Sequence, residues 1–89
     1  MKIYSMSDFQ NICFEEVSKY YNKHCEKTDK ADITKDNVYM VWGVKALYNF
    51  KGLFSTTVPD GMYYELTYNG ETEELYFDAY KKWENIVIK

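Results

Sequence analysis

The stretch YYELTYNGETEELYF, residues 63–77, decides how the rest of the chain is read. Two runs that alternate in polarity flank Asn69-Gly70, which is the pattern of an antiparallel hairpin. Its register is set by a competition. A two-residue Asn69-Gly70 turn would place Glu65 opposite Glu74, a like-charge pair that costs stability. A four-residue loop over 69–72 instead pairs Leu66 with Leu75, Tyr64 with Phe77 and Met62 with Ala79. Side chains alternate along a strand, so a slip of one residue would put the apolar set on opposite faces. The four-residue loop is therefore expected. Met62, Tyr64, Leu66, Leu75, Phe77 and Ala79 form the covered face. Tyr63, Glu65, Thr67, Tyr76, Asp78 and Tyr80 form the outer one.

Something must cover the apolar face, and the N-terminal third supplies it. Phe9, Ile12, Cys13, Val17, Tyr20 and Tyr21 recur at helical spacing. Ser7 to Gln10 has the form of a capping box, so a helix is expected over 8–26. Glu15 stands four residues before Lys19, the favourable order for a helical ion pair, and Lys19, Lys23 and Lys27 lie late, as the helix dipole prefers. Residues 28–37 are polar and read as a loop. The period then changes to two: Val38, Met40, Trp42 and Val44 alternate with Tyr39, Val41 and Gly43, a strand that could be covered on both faces. A turn is expected over Tyr48–Gly52, a second strand over Leu53–Val58, and another turn at Val58-Pro-Asp-Gly61. In the tail, Tyr80, Trp83 and Val87 fit a helical turn while Ile86–Ile88 read as a strand. A bend near Trp83 followed by an edge strand is preferred. The expected fold is α+β: an N-terminal helix packed on a three- to four-stranded antiparallel β-meander, forming one domain over residues 1–89.

Composition narrows the function classes. Eighty-nine residues with an aromatic share of 19% give a thin core helped by large rings. The uncharged run Gly52–Pro59 is far too short to span a bilayer. The N-terminus lacks the apolar core of a signal peptide, so a cytoplasmic protein without membrane contact is expected. All eleven basic residues are lysine. Arginine is the usual ligand for phosphate and guanine, and its absence argues against nucleic acid, as does a pI near 5.1.

No catalytic, cofactor or metal site is expected. Cys13 and Cys25 would lie about 18 Å apart on one helix, too far for a disulfide. His24 and Cys25 point about 100° apart, so they make neither a metal pair nor a catalytic one. Both cysteines are expected as free thiols. Between Pro59 and Tyr80 stand six acids and no base. The outer face of the hairpin, with Tyr63, Glu65, Tyr76, Asp78 and Tyr80, reads either as a solvated sheet surface or as a protein-binding surface, since tyrosine offers rigid amphipathic contact area.

Ile33 to Trp42, Ser55 to Gly70 (with VPDGMYYE) and Glu74 to Asn85 (with YKKWEN) carry a resemblance. The chain is similar to a family of small uncharacterised proteins encoded by phages and prophages of low-GC Gram-positive bacteria, over most of its length. The resemblance implies a context, the host bacterial cytoplasm, and no activity. The leading expectation is a non-enzymatic accessory protein that binds and modulates a host or phage protein of replication, repair or defence. Mimicry of DNA charge by the acidic hairpin is a version of it. The alternative is a small nucleic-acid-binding module that stacks bases on exposed tyrosines. An exposed edge strand leaves a homodimer possible.

Overall fold

The computed structural model describes residues 2–24 and 32–89. Helix α1 spans Met6–His24. It starts two residues before the expected boundary because Ser5, not Ser7, is the cap. The Ser5 hydroxyl accepts from the Asp8 amide at 3.1 Å, and its carbonyl accepts from Phe9 at 3.0 Å. The expected extension to residue 26, along with Cys25 and Lys27, lies outside the described residues. Phe9, Cys13, Val17 and Tyr21 form the buried stripe of α1, four residues apart. Lys19 pairs with Glu16 at 3.9 Å rather than with Glu15. Both groups are well exposed, so the pair contributes a few tenths of a kcal/mol at most.

Within the segment read as a loop, two side chains do ordering work. Asn22 brackets Ile33, donating to its carbonyl at 2.8 Å and accepting from its amide at 2.9 Å. Thr34 caps a short 3₁₀ turn, Lys35–Asn37, that feeds straight into the sheet.

Four strands follow: β1 (Val38–Ala46), β2 (Asn49–Thr56), β3 (Met62–Asn69) and β4 (Glu74–Lys81). They are antiparallel in the order β1-β2-β3-β4. The α+β architecture is thus one helix on a four-stranded meander, only 19 Å across its thin direction.

Three details of register depart from the sequence reading. The first is the β1–β2 turn. Ala46 pairs with Asn49, leaving Leu47 and Tyr48 as a two-residue turn with Leu47 at φ 58°. Tyr48–Gly52 is therefore not the turn. Phe50, Gly52 and Phe54 instead form a core-facing stripe, and Gly52 is a seat for the ring of Phe9. A Cβ there would come within 2.8 Å of the Phe54 ring and 3.2 Å of Phe9.

The second is a β-bulge. Met40 pairs with Phe54 while Trp42 pairs with Leu53, so β1 carries one extra residue. The bulge inverts the alternation. Val38 and Met40 face the helix, but Trp42 and Val44 turn to the other side. The four residues do not share a face, and β1 is not covered on both sides.

The third is the β3–β4 hairpin. Its loop has four residues, as expected, but runs over Gly70–Glu73. Leu66 therefore pairs with Phe77, Tyr64 with Ala79 and Met62 with Lys81. Asn69 stays in the ladder opposite Glu74 and caps the turn, its Oδ1 accepting from Glu71 at 2.9 Å and Thr72 at 3.4 Å. The shift of two residues is even, so both faces keep their expected members. Gly70 is required at the start of this loop, because a Cβ would strike the Tyr48 carbonyl of the neighbouring turn. Its amide also donates to Asn49 Oδ1 at 2.9 Å. Gly70→Ala is expected to destabilise the chain by about 1–3 kcal/mol through overpacking; the shift of the urea midpoint at constant slope measures it.

The core lies between α1 and the sheet. Phe9 stacks on Phe50 at 5.4 Å and meets Phe54 at 6.1 Å, and Phe14 approaches Phe54 edge-on at 5.9 Å. Tyr64, Leu66 and Tyr68 complete it from β3. The helix backbone runs nearest β1 and β2. It reaches β4 through Tyr20, whose ring lies 4.9 Å from Phe77. Consequently Leu75 and Phe77 are only half-buried and Ala79 is exposed. Residues 82–89 form no edge strand and are exposed throughout. A strand there would add one ladder row, but its isoleucines would lie on a margin the helix does not shelter.

Candidate protein-contact face

The helix covers one side of the meander, and nothing among the described residues covers the other. The five residues singled out in the sequence all stand on this open side. Tyr63 pairs with Tyr80, Glu65 with Asp78, and Thr67 with Tyr76. Tyr76 and Tyr80 are each about half exposed. Tyr63 and Glu65 are partly sheltered by their neighbours.

Sequence reasoning missed the other half of the surface. Tyr39, Trp42 and Val44 of β1 and Lys51 and Leu53 of β2 share the same side. Trp42 remains 42% exposed and Val44 52%, values at odds with a covered strand. The bulge at Val41 hid this grouping. A break in strict alternation was the signal available, since Met40-Val-Trp42 offers three large apolar residues in a row where a single-faced strand needs a polar one.

The electrostatics differ from those of the hairpin alone. Lys51, contributed by β2, brings its Nζ to 3.7 Å of Glu65 Oε1. That relieves part of the repulsion between Glu65 and Asp78, which face each other across the ladder. Asp78 itself has no ion pair or hydrogen bond among the described residues. At the margin, the Tyr76 hydroxyl donates to Glu74 Oε1 at 3.0 Å. This hydrogen bond, followed by the negative charge of Glu74, raises the Tyr76 phenol above its ordinary value. Of the four charged residues on the strands' open side, Lys51 opposes Glu65, Glu74 and Asp78, for a net charge of −2.

A face of rings with a central carboxylate pair can bind. Two grooves lined by described residues lie elsewhere. One, about 250 Å³, runs beside Ile3, Tyr48 and Gly70. The other, about 450 Å³, runs beside Lys19, Tyr20 and Phe77. Among the described residues no three His, Cys, Asp or Glu side chains converge as a metal site. No helix there is long and apolar enough to cross a membrane.

Cys13 is a free thiol on the buried stripe of α1. Burial first, and the negative charge of Glu16 second, push its pKa far up, so the thiol stays neutral and unreactive. The expected pairing geometry of Cys25, and any role of it beside His24, lies outside the described residues. The ring of His24 packs on Tyr20 at 4.5 Å. In the folded chain at pH 8, Cys13 is expected to resist iodoacetamide and to react on unfolding; peptide mass spectrometry of each state reads the difference. With its folded pKa raised above the ordinary 9.0, the thiol contributes fully below that value. Its contribution is lost as pH rises, because only the unfolded chain ionises. Cys13→Ala should flatten the fall of stability between pH 9 and 10.

A family model described as a family of unknown function (DUF6275) matches residues 10–89, which takes in most of α1 and the whole sheet. The chain belongs to this family. No curated protein and no solved structure shows significant similarity to it. The matched region includes every residue of the open face, so the face lies within the part of the chain that defines family membership.

Proposed function

We propose that the chain is a non-enzymatic accessory protein of a phage or prophage, acting in the host bacterial cytoplasm. On this reading it binds and modulates a host or phage protein through the open sheet face. The observation that supports it is the uncovered side of the meander. There Tyr39, Trp42, Val44, Tyr76 and Tyr80 remain about half exposed on the side that carries the Glu65–Asp78 pair. Tyrosine and tryptophan give large contact area at low entropic cost and dominate the energetics of interfaces. Large exposed apolar side chains gathered on one side of a sheet are the usual mark of an interaction surface.

The partner's chemistry follows from the face. It should offer apolar side chains to the rings and at least one basic group to Asp78, which has no counter-ion among the described residues. A component of replication, repair or defence with a basic surface fits. Mimicry of DNA charge is a weaker version, because Lys51 interrupts the acidic run. Stacking of bases on the same rings is the alternative reading. The net negative face and the absence of arginine weigh against it.

Affinity capture of the tagged chain from host cells, compared with a variant altered on this face, tests the reading. The partner should be captured by the native chain and lost from the variant. Capture of nucleic acid, released by salt, would favour the alternative.

A further inference from the structure

The two edges of the sheet differ. β1 is blunted by its bulge at Val41, which interrupts the outer row of backbone groups. β4 keeps one unbroken register against β3, from the Met62–Lys81 pair to the Asn69–Glu74 pair. It contains neither proline nor bulge, and no described strand lies outside it.

The ladder fixes which groups this edge presents. The Lys82 amide donates to the Gly61 carbonyl at 2.7 Å, one step beyond the Met62–Lys81 pair. Backbone groups of successive residues in an antiparallel strand point to alternate sides. Glu74, Tyr76, Asp78 and Tyr80 therefore turn their amides and carbonyls to β3, as Lys82 does. Leu75, Phe77, Ala79 and Lys81 turn theirs outward, in a row about 20 Å long.

The same margin carries a groove on the helix side. It measures about 450 Å³ and is lined by Glu16, Lys19, Tyr20, Lys23, His24 and Phe77. It exists because α1 runs nearest β1 and β2 and reaches β4 through Tyr20, whose ring meets Phe77 at 4.9 Å. Both rings are half-buried, so the floor is apolar and open. The rim is cationic. Lys19 and Lys23 are exposed and outnumber the one carboxylate, Glu16, which Lys19 meets at 3.9 Å. Lys23 has no ion pair among the described residues.

An extended segment along β4 uses both features at once. Its backbone completes the outward row, and every second side chain projects to the helix side. There the central side chains meet Tyr20 and Phe77, and the flanking ones meet Lys19 and Lys23. On the open side the segment lies beside Glu74 and Asp78, so its carboxylates belong on the helix side alone.

We infer that the outer edge of β4 is a docking site for an extended peptide of a partner protein. Its helix-side positions are apolar at the centre and acidic at the flanks, and its open-side positions carry no acid. The site goes beyond the open-face reading and does not rest on it, since it uses the strand's backbone and the helix side. Charge disfavours a second copy as the occupant: twofold pairing of β4 with itself sets Lys19 and Lys23 of both copies along one seam. The chain's own tail does not hold the edge either, because residues 82–89 form no strand.

Titration of the full chain with a blocked heptapeptide, Glu-Thr-Leu-Thr-Val-Thr-Glu, tests this by calorimetry and by amide exchange. Its pattern reads alike in both directions, so it suits either strand polarity. Saturable binding with a dissociation constant below about 1 mM is expected. On saturation the outward amides of Phe77 and Ala79 should exchange at least about tenfold more slowly, while those of Tyr76 and Asp78, already paired with β3, should change little. Lys19→Glu with Lys23→Glu, and separately Ala79→Pro, should each weaken binding at least about tenfold. Proline at 79 removes an outward amide and no ladder bond to β3. Circular dichroism should remain native for both variants. A peptide with lysine in place of both glutamates should bind the native chain at least about tenfold more weakly, a charge test independent of any variant's folding. No saturable binding up to about 1 mM, unchanged exchange at Phe77 and Ala79, or equal binding of the lysine peptide would overturn the inference. So would a dimer of the native chain that Ala79→Pro disperses, since a second copy would then hold the edge. Partner capture through Tyr63 and Tyr76 is read on the other side of the sheet and succeeds or fails independently.

Discussion

Phe54→Ala is expected to cost about 3–5 kcal/mol, among the largest effects of a single truncation at the described residues. Phe54 is fully buried at the centre of the sheet. Phe9 and Phe14 hold its ring from the helix at 6.1 and 5.9 Å, and Met40 pairs with it from β1. Removing it opens a cavity bounded by two rings and a backbone that cannot collapse, because the Phe50–Gly52–Phe54 stripe is fixed by the ladders on both sides. A domain of this size is stable by only about 5–10 kcal/mol, so the variant should sit near the unfolding threshold. Equilibrium urea denaturation followed by circular dichroism measures it. Leu66→Ala, also fully buried, should cost about 2–5 kcal/mol. Phe77→Ala should fall below both, because the helix reaches β4 only through Tyr20 and leaves Phe77 half-buried. A cost under about 1 kcal/mol at Phe54 would mean that the helix does not pack where the ring contacts place it.

The elements that carry the core were legible because each obeys one period throughout. Phe9, Cys13, Val17 and Tyr21 stay on one helical stripe. Tyr64, Leu66 and Tyr68 stay on one side of a strand. Even the displaced hairpin loop kept its faces, since the displacement was two residues. What failed to read through were places where one residue serves two roles. Gly52 looks like a turn and is a seat for an aromatic ring. Asn69 looks like the start of a loop and is both ladder and cap. Val41 looks like one more alternating position and is an extra residue, fixed as such by pairing with β2. That last point split the candidate surface: the hairpin half, Tyr63 to Tyr80, was readable from alternation. The β1 half, Tyr39 with Trp42 and Val44, was not, because the bulge reverses alternation between them. Lys51 was missed for a related reason. It was assigned to a turn, so its side chain had no face.

Replacing Tyr63 and Tyr76 together by serine is expected to abolish capture of the partner while leaving the fold in place. The two rings lie on neighbouring strands of the open face, Tyr63 opposite Tyr80 and Tyr76 opposite Thr67. They pack against no part of α1, so their loss removes cross-strand contacts worth about 1–2 kcal/mol in total and opens no cavity in the core. An interface anchored by aromatic residues loses about 2 kcal/mol or more per anchor, so the pair should weaken binding by several hundredfold or more. The two numbers differ enough to be read separately, the first from the urea midpoint and the second from quantitative recovery of the partner on the tagged chain. A double variant that unfolds while Phe77→Ala stays native would mean that the two sides of the sheet are exchanged. A double variant that is folded and still captures the partner would move the contact off this face. The rings would then do no more than shield the outer ladder of β3 and β4 from water.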